Sequence, residues 1–244
     1  MEYVYNFLAR LAKNNNREWF EAHKDEYLAA KEIFDNFTEE LIKEISRWDP
    51  YISQRKLSVA DCTYRIYRDI RFSPDKTPYK THMGCFIVKG GKKSQYSGYY
   101  FHMEPPESDN FLGGNMLYAG IYMPEAKVIA SIRDEISVNG DALIKAINKC
   151  KGFVLQYNAL RRVPKGYENV EDEGWRNLIK LKEVSMCSNM SENFLFAPGN
   201  LAKRVSERFK YCKDLSRFLN RCVDYAMEGE GTTFLQQLNP KRWL

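Results

Sequence analysis

No run of this chain approaches the roughly 18 apolar residues that a membrane-spanning helix needs, so nothing in it is expected to cross a bilayer. The N-terminus, MEYVYNFLARLAKNNN, lacks the order of charged, apolar and small residues that marks a secretory signal. The six cysteines, at 62, 85, 150, 187, 212 and 222, form no C-x-x-C pair and keep no regular spacing. Reduced and mostly buried thiols are the expectation, and with them a soluble protein in the cytoplasm. H-E-x-x-H, G-x-S-x-G, G-x-x-x-x-G-K-[ST] and G-x-G-x-x-G are all missing, as is any Ser/Lys or Cys/His nucleophile spacing. Kinase, Rossmann and hydrolase-fold readings therefore have no support, and Gly90-Gly91 and Gly113-Gly114 read mainly as turn or bulge glycines. No internal repeat, low-complexity segment or compositional shift marks a linker.

What is present is a core-forming chain of 244 residues, 44 % hydrophobic and 14 % aromatic, enough for one large domain or two small ones. A short helix is expected over 2–13 and a long one over 15–48, with Asn15 as cap and Glu18 completing a capping box. Phe20, His23, Tyr27, Phe34, Phe37, Leu41, Ile45 and Trp48 recur at helical spacing and form its apolar stripe. Asp49-Pro50 ends it. Residues 62–72 alternate like a strand; strands are also expected over 82–89 and 97–104 as a hairpin around GGKKSQY, over 111–124, and near 182–188. Helices are expected over 125–138, 140–150 and 200–228, and residues 229–244 read as a loop tail. The simplest account is one α+β domain over 1–228, its central antiparallel sheet packed by helices from both ends.

The net charge of +5 is unevenly spread: residues 54–93 carry a balance of +7 and the rest of the chain −2. At its centre lies YRIYRDIRFSPDKTPYKTH, residues 64–82. Alternation puts Arg68 with Ile66 and Ile70 on a core-facing side, where a guanidinium needs acceptors. It is either an anion-binding arginine or half of a structural ion pair. Arg65, Asp69 and Arg71 share the other side, as a solvated face or as a platform for phosphate or carboxylate. Pro74 and Pro78 fix the turn that carries Lys76, Tyr79 and Lys80.

If the hairpin pairs symmetrically about residue 93, Gly84 faces His102 and His82 faces Glu104. His82, His102 and Glu104 then share a face with Tyr100. Such a group can ligate a metal, run proton transfer, or form a hydrogen-bonded structural cluster, and a one-residue slip would disperse it. His23, on the apolar stripe, reads as a satisfied core residue.

NNNREWFEAHKDEY (14–27), the 64–82 stretch and GGKKSQYSGYYFHMEP (90–105) together resemble a family of conserved hypothetical proteins, domain of unknown function 2461, over about residues 5–225. The resemblance implies a single domain without a membrane segment; Asn16, Arg17, Trp19, Arg65, Arg68, Asp69, Lys80, His82, Tyr100 and Glu104 fall in its motifs. It implies no activity or substrate. The residues themselves point to an anionic small molecule or acidic partner bound by Arg65, Arg68, Arg71, Lys76, Tyr79, Lys80 and Tyr100, with no cofactor and no metal. An enzyme using His82, His102 and Glu104 in acid–base or hydrolytic chemistry is the alternative, and a nucleic-acid binder a second one.

Overall fold

The structure, a computed structural model, describes residues 1–54, 56–108 and 112–228. The chain opens with helix α1 (Glu2–Lys13), whose Val4, Phe7, Leu8 and Leu11 recur at helical spacing and are fully buried. The expected 15–48 helix is present as two pieces, α2 (Arg17–Ala22) and α3 (Lys24–Ser46), joined at His23. The cap is Asn16, whose side chain accepts the Trp19 N–H at 2.9 Å. Asn15 cannot serve, because its amide is spent on Tyr79: Nδ2 donates to the Tyr79 carbonyl at 2.9 Å, and Oδ1 accepts the Tyr79 N–H at 3.1 Å. His23 stacks on Trp19 with ring centroids 4.0 Å apart, and its Nδ1 donates to the Trp19 carbonyl at 2.7 Å. Asp49 and Pro50 stop α3, and short helices α4 (Pro50–Ser53) and α5 (Val59–Cys62) follow.

Strands β1 (Met83–Val88), β2 (Gly98–Met103) and β3 (Met116–Ile121) come next, then the long helix α6 (Ala126–Asn148), kinked at Asn139 where two helices were expected. The two-residue strand β4 (Val154–Leu155), helix α7 (Glu173–Ile179), strand β5 (Val184–Asn189) and helix α8 (Glu192–Phe196) fill the segment the sequence leaves least defined. The expected 200–228 helix is divided at Tyr211–Cys212 into α9 (Leu201–Lys210) and α10 (Lys213–Glu228). The tail, 229–244, and the start of the expected 111–124 strand lie outside the described residues.

The five strands form one antiparallel sheet in the order β1-β2-β3-β5-β4. Gly84 pairs with His102 and Val88 with Gly98, the register expected from symmetry about residue 93. Residues 62–72 are not a strand of this sheet. They make isolated bridges, Thr63 to Cys85 and Tyr67 to Tyr79, and two backbone bonds fasten them to the 78–80 segment: Arg68 N–H to the Pro78 carbonyl and Lys80 N–H to the Ile66 carbonyl. Their alternation also fails beyond Arg68, since Phe72 is 93 % exposed.

The helices cover one face of the sheet. Phe34 and Phe37 of α3 meet Phe101 of β2, with Phe37 at a centroid distance of 4.7 Å, and Phe209 of α9 meets Tyr99 at 5.3 Å. A single buried cluster runs from Val4 to Val223. All six cysteines are free thiols, five of them buried. Among the described residues no helix is long and apolar enough to cross a membrane. Leu41 is fully buried in the α3 stripe. Leu41→Ala should cost about 2–5 kcal/mol in chemical denaturation, and an unchanged midpoint would remove the stripe from the core.

Candidate functional site

Period-two alternation sends Cys85, Ile87, Tyr99, Phe101 and Leu117 under the helices. The alternate positions, Gly84, Phe86, Tyr100, Tyr118 and Gly120, face a cleft of about 1380 Å³. One wall combines Tyr27 and Lys31 of α3, the 63–66 segment, Lys80 and His82; the β1–β2 loop adds Lys92 and Lys93, and residues 156–158 stand opposite. Six Lys and Arg side chains against three carboxylates line it, so the cleft is cationic as well as aromatic.

The structure divides the sequence-derived candidates. Arg65, Arg68, Lys80, His82 and Tyr100 all line the cleft, whereas Arg71, Lys76 and Tyr79 do not. Arg71 is held outside by a bidentate pair with Asp69, Nε to Oδ1 at 2.9 Å and Nη2 to Oδ2 at 2.7 Å, which pulls the Asp69 carboxyl down to about 2. Lys76 donates to the Ile70 carbonyl at 3.0 Å. Tyr79 is 3 % exposed and stacks on Phe20 with centroids 3.9 Å apart, so its ring belongs to the core. Arg68 pairs with Asp75 and donates to Thr77 Oγ1 at 2.5 Å, which makes it part of the turn as well as of the wall.

Lys80 and Arg65 differ from these. Lys80 is half-buried, its Nζ 5.5 Å from the centre of the Tyr64 ring, and Lys92 approaches the same ring at 5.9 Å. Burial, and Arg65 beside it, hold the Lys80 ammonium below the usual lysine range. No carboxylate among the described residues pairs with either cation. Tyr64, Lys92, Tyr118 and the exposed Tyr122 and Tyr157 also line the cleft and were not among the sequence-derived candidates. Strand alternation could have found Tyr118, which pairs directly with Tyr100; residue 157 follows a two-residue strand and gave no signal.

Beneath the cleft lies a chain of polar groups along β2 and its exit. His102 is 0 % and Glu104 1 % exposed. Glu104 Oε2 accepts the backbone N–H of Leu112 at 3.0 Å, Gly113 at 3.2 Å and Gly114 at 3.4 Å, while Oε1 accepts Ser108 Oγ at 2.7 Å. Gly113 (φ +80°) and Gly114 (φ +126°) supply the backbone that turns successive amides onto one point. The glycine pair thus cradles an anion, and the anion is the chain's own carboxylate. His102 Nε2 lies 3.2 Å from the same Oε2, and His102 Nδ1 lies 3.0 Å from Tyr100 Oη. The His82 ring sits 4.9 Å from that of His102.

The expected cluster of His82, His102 and Glu104 therefore exists, with potential ligand atoms within 4.8 Å of one another. Its chemistry disfavours a cation. The Glu104 oxygen nearest His102 already faces three N–H dipoles, whose positive ends would repel a metal ion. Elemental analysis of the purified protein should find less than about a tenth of an equivalent of transition metal; a stoichiometric metal lost in His102→Ala would reverse that. A second outcome concerns Gly84. A Cβ there would meet Tyr100 Oη at 2.5 Å, so the glycine makes room for the phenol. Gly84→Ala should displace Tyr100 and destabilise by about 1–3 kcal/mol; urea denaturation indistinguishable from wild type would show that Tyr100 does not need the space.

No curated protein and no solved structure matches the chain. The family model described as conserved hypothetical protein, DUF2461, matches residues 3–218, a span that takes in α1, the whole sheet, the cleft and the start of α10, and the chain belongs to that family.

Proposed function

We propose that the cleft binds an anionic small molecule, bearing phosphate or carboxylate, whose apolar or aromatic body lies along Tyr64, Phe86, Tyr100 and Tyr118. The observation that carries this is the pair Lys80 and Arg65. The half-buried Lys80 ammonium loses hydration and is repelled by the exposed Arg65 beside it, and no carboxylate among the described residues forms an ion pair with Lys80. An anion between them would. Arg68, paired with Asp75, and Lys92, which donates to the Ala60 carbonyl, line the same wall, and the guanidinium of Arg65 suits a planar or bidentate acceptor. A walled cleft with an aromatic floor suits a small molecule better than it suits the backbone of a nucleic acid, which a broad basic face would track. A cytoplasmic setting, supported by six free thiols, belongs to the same reading.

Binding to the folded state alone stabilises by mass action, about 2.7 kcal/mol at a hundredfold excess over the dissociation constant. For a chain of this size that corresponds to a rise of roughly 5–10 °C in Tm. A thermal-shift screen at low salt with inorganic phosphate, nucleotides and small carboxylates should therefore find a stabilising anion. Lys80→Met and Arg65→Met should lose the response and Arg71→Met keep it. If no anion raises the wild-type Tm, or if Lys80→Met responds as strongly, the cleft is not an anion site.

A further inference from the structure

We propose that Tyr100 is a base-activated nucleophile, backed by His102 and Glu104, that attacks an acyl-type electrophile carried by the anionic molecule in the cleft. The nature of the substrate rests on the anion reading above; the relay rests on its own geometry. Three side chains at alternate positions of one strand and its exit form a line of hydrogen bonds, Tyr100 Oη to His102 Nδ1 at 3.0 Å and His102 Nε2 to Glu104 Oε2 at 3.2 Å. A nucleophile bonded to a base, and the base bonded to a third group that orients it, is the arrangement that activates weak nucleophiles in covalent catalysis.

The tautomer follows from the amides. Three backbone N–H groups make Glu104 Oε2 an acceptor only, so the hydrogen bond from His102 to it places a proton on Nε2. In the neutral imidazole His102 Nδ1 then carries the lone pair, and Tyr100 is the donor. Burial raises the Tyr100 pKa well above the ordinary phenol value, so the hydroxyl stays protonated until a base takes the proton. The base is in place.

Access and space agree. Tyr100 lines the cleft, whereas His102 and Glu104 are sealed beneath it. Gly84 interrupts a strand of otherwise packed residues, and the space its missing Cβ leaves is filled by the Tyr100 hydroxyl and the adjoining ring carbons. A polar cluster that served stability alone would close on itself in the core. This one ends at an open surface beside Lys80 and Tyr64.

In the first step the Tyr100 Oη–C bond forms as the bond to the leaving group breaks. The phenolic proton passes to His102 Nδ1, and the leaving group departs as its anion into the cleft. Water from the cleft then attacks the aryl ester and loses its proton to solvent, while the Tyr100 oxygen departs and takes back the proton held by His102. Glu104 stays ionised and stabilises the imidazolium, and Arg65 and Lys80 hold the anionic part of the substrate.

A pair of electrophilic probes tests this on the full chain: 4-(fluorosulfonyl)benzoate, which carries a carboxylate, and neutral benzenesulfonyl fluoride. In each, an S–O bond to Tyr100 forms as S–F breaks, fluoride leaves, and the proton goes to His102. Peptide mapping should find Tyr100 modified ahead of the other tyrosines, and His102→Gln should slow that modification on the order of a hundredfold. Lys80→Met should slow the carboxylate probe alone. If Tyr100 is not modified, or is modified as fast in His102→Gln, the proposal is wrong. If both probes react at equal rates while dependence on His102 persists, the relay stands and the anion reading falls. A measurement on wild type needs no variant: imidazole ¹⁵N spectra should show His102 protonated at Nε2 and bare at Nδ1, and the reverse tautomer overturns the proposal.

Discussion

The site is organised around one buried carboxylate. Glu104 is almost fully sealed from water, and an ionised group in that position is tolerable only if its oxygens are satisfied. Three backbone amides and the Ser108 hydroxyl do so, with His102 beyond them. The same bonds tie the start of the β2–β3 connection to its end, since the Glu104 N–H donates to Asn115 Oδ1 at 2.9 Å. Removing the carboxylate would leave several donors buried together, a loss of the kind that costs a few kcal/mol. The position of β3 against β2, the orientation of His102 and, through it, the direction of the Tyr100 hydroxyl all depend on this contact.

The sheet turns that local device into a cleft. Its two faces have opposite roles because successive side chains along β1, β2 and β3 point to opposite faces. Tyr99, Phe101 and Leu117 meet the helices, and Tyr100, Tyr118 and Gly120 do not. Tyr99 and Tyr100 show how completely the neighbour decides. The first gives its hydroxyl to Asp49 in the core at 2.7 Å, and the second gives it to His102 at the cleft floor. A residue type that is equally at home buried or wet is thereby used for packing and for chemistry one position apart.

Much of this was legible in the sequence where the signal was periodic and local. The hairpin register followed from symmetry about residue 93 because both strands alternate cleanly, and it placed His82, His102 and Glu104 on one face with Tyr100. The buried thiols and the α3 stripe were legible for similar reasons. Signals that depend on a distant partner were not. Asn15 looks like a cap until Tyr79 is seen to occupy its amide. Tyr79 looks like a ligand contact until Phe20 is found stacked on it. Residues 62–72 alternate as a strand does, but Pro74 and Pro78 confine the segment to a narrow ribbon with two backbone bonds, so Arg71 and Phe72 swing out to solvent. Gly113-Gly114 fits no phosphate-loop pattern, and its amides do hold an anion; only the source of that anion, nine and ten residues upstream, was hidden.

The cation pair and the relay meet through Tyr64. Its ring carries Lys80 and Lys92 at 5.5 and 5.9 Å and stands edge-on to Tyr100, with centroids 6.4 Å apart. Cations over an aromatic ring are stabilised modestly, by about 0.5–1 kcal/mol where water still reaches them, so Tyr64 holds the lysines in place without neutralising them. Their charge remains free to act on whatever enters. An arrangement that kept Lys80 only for stability would give it a carboxylate, as Arg71 has Asp69 and Lys149 has Asp214. Elsewhere in this chain cations are paired that way repeatedly. Lys80 and Arg65 form no such ion pair, and they share one wall with a phenol whose proton is already directed at a base. Positive charge beside such a phenol favours the developing phenolate, and the buried carboxylate behind His102 favours the imidazolium, so each half of the site lowers the cost of charge separation in the other.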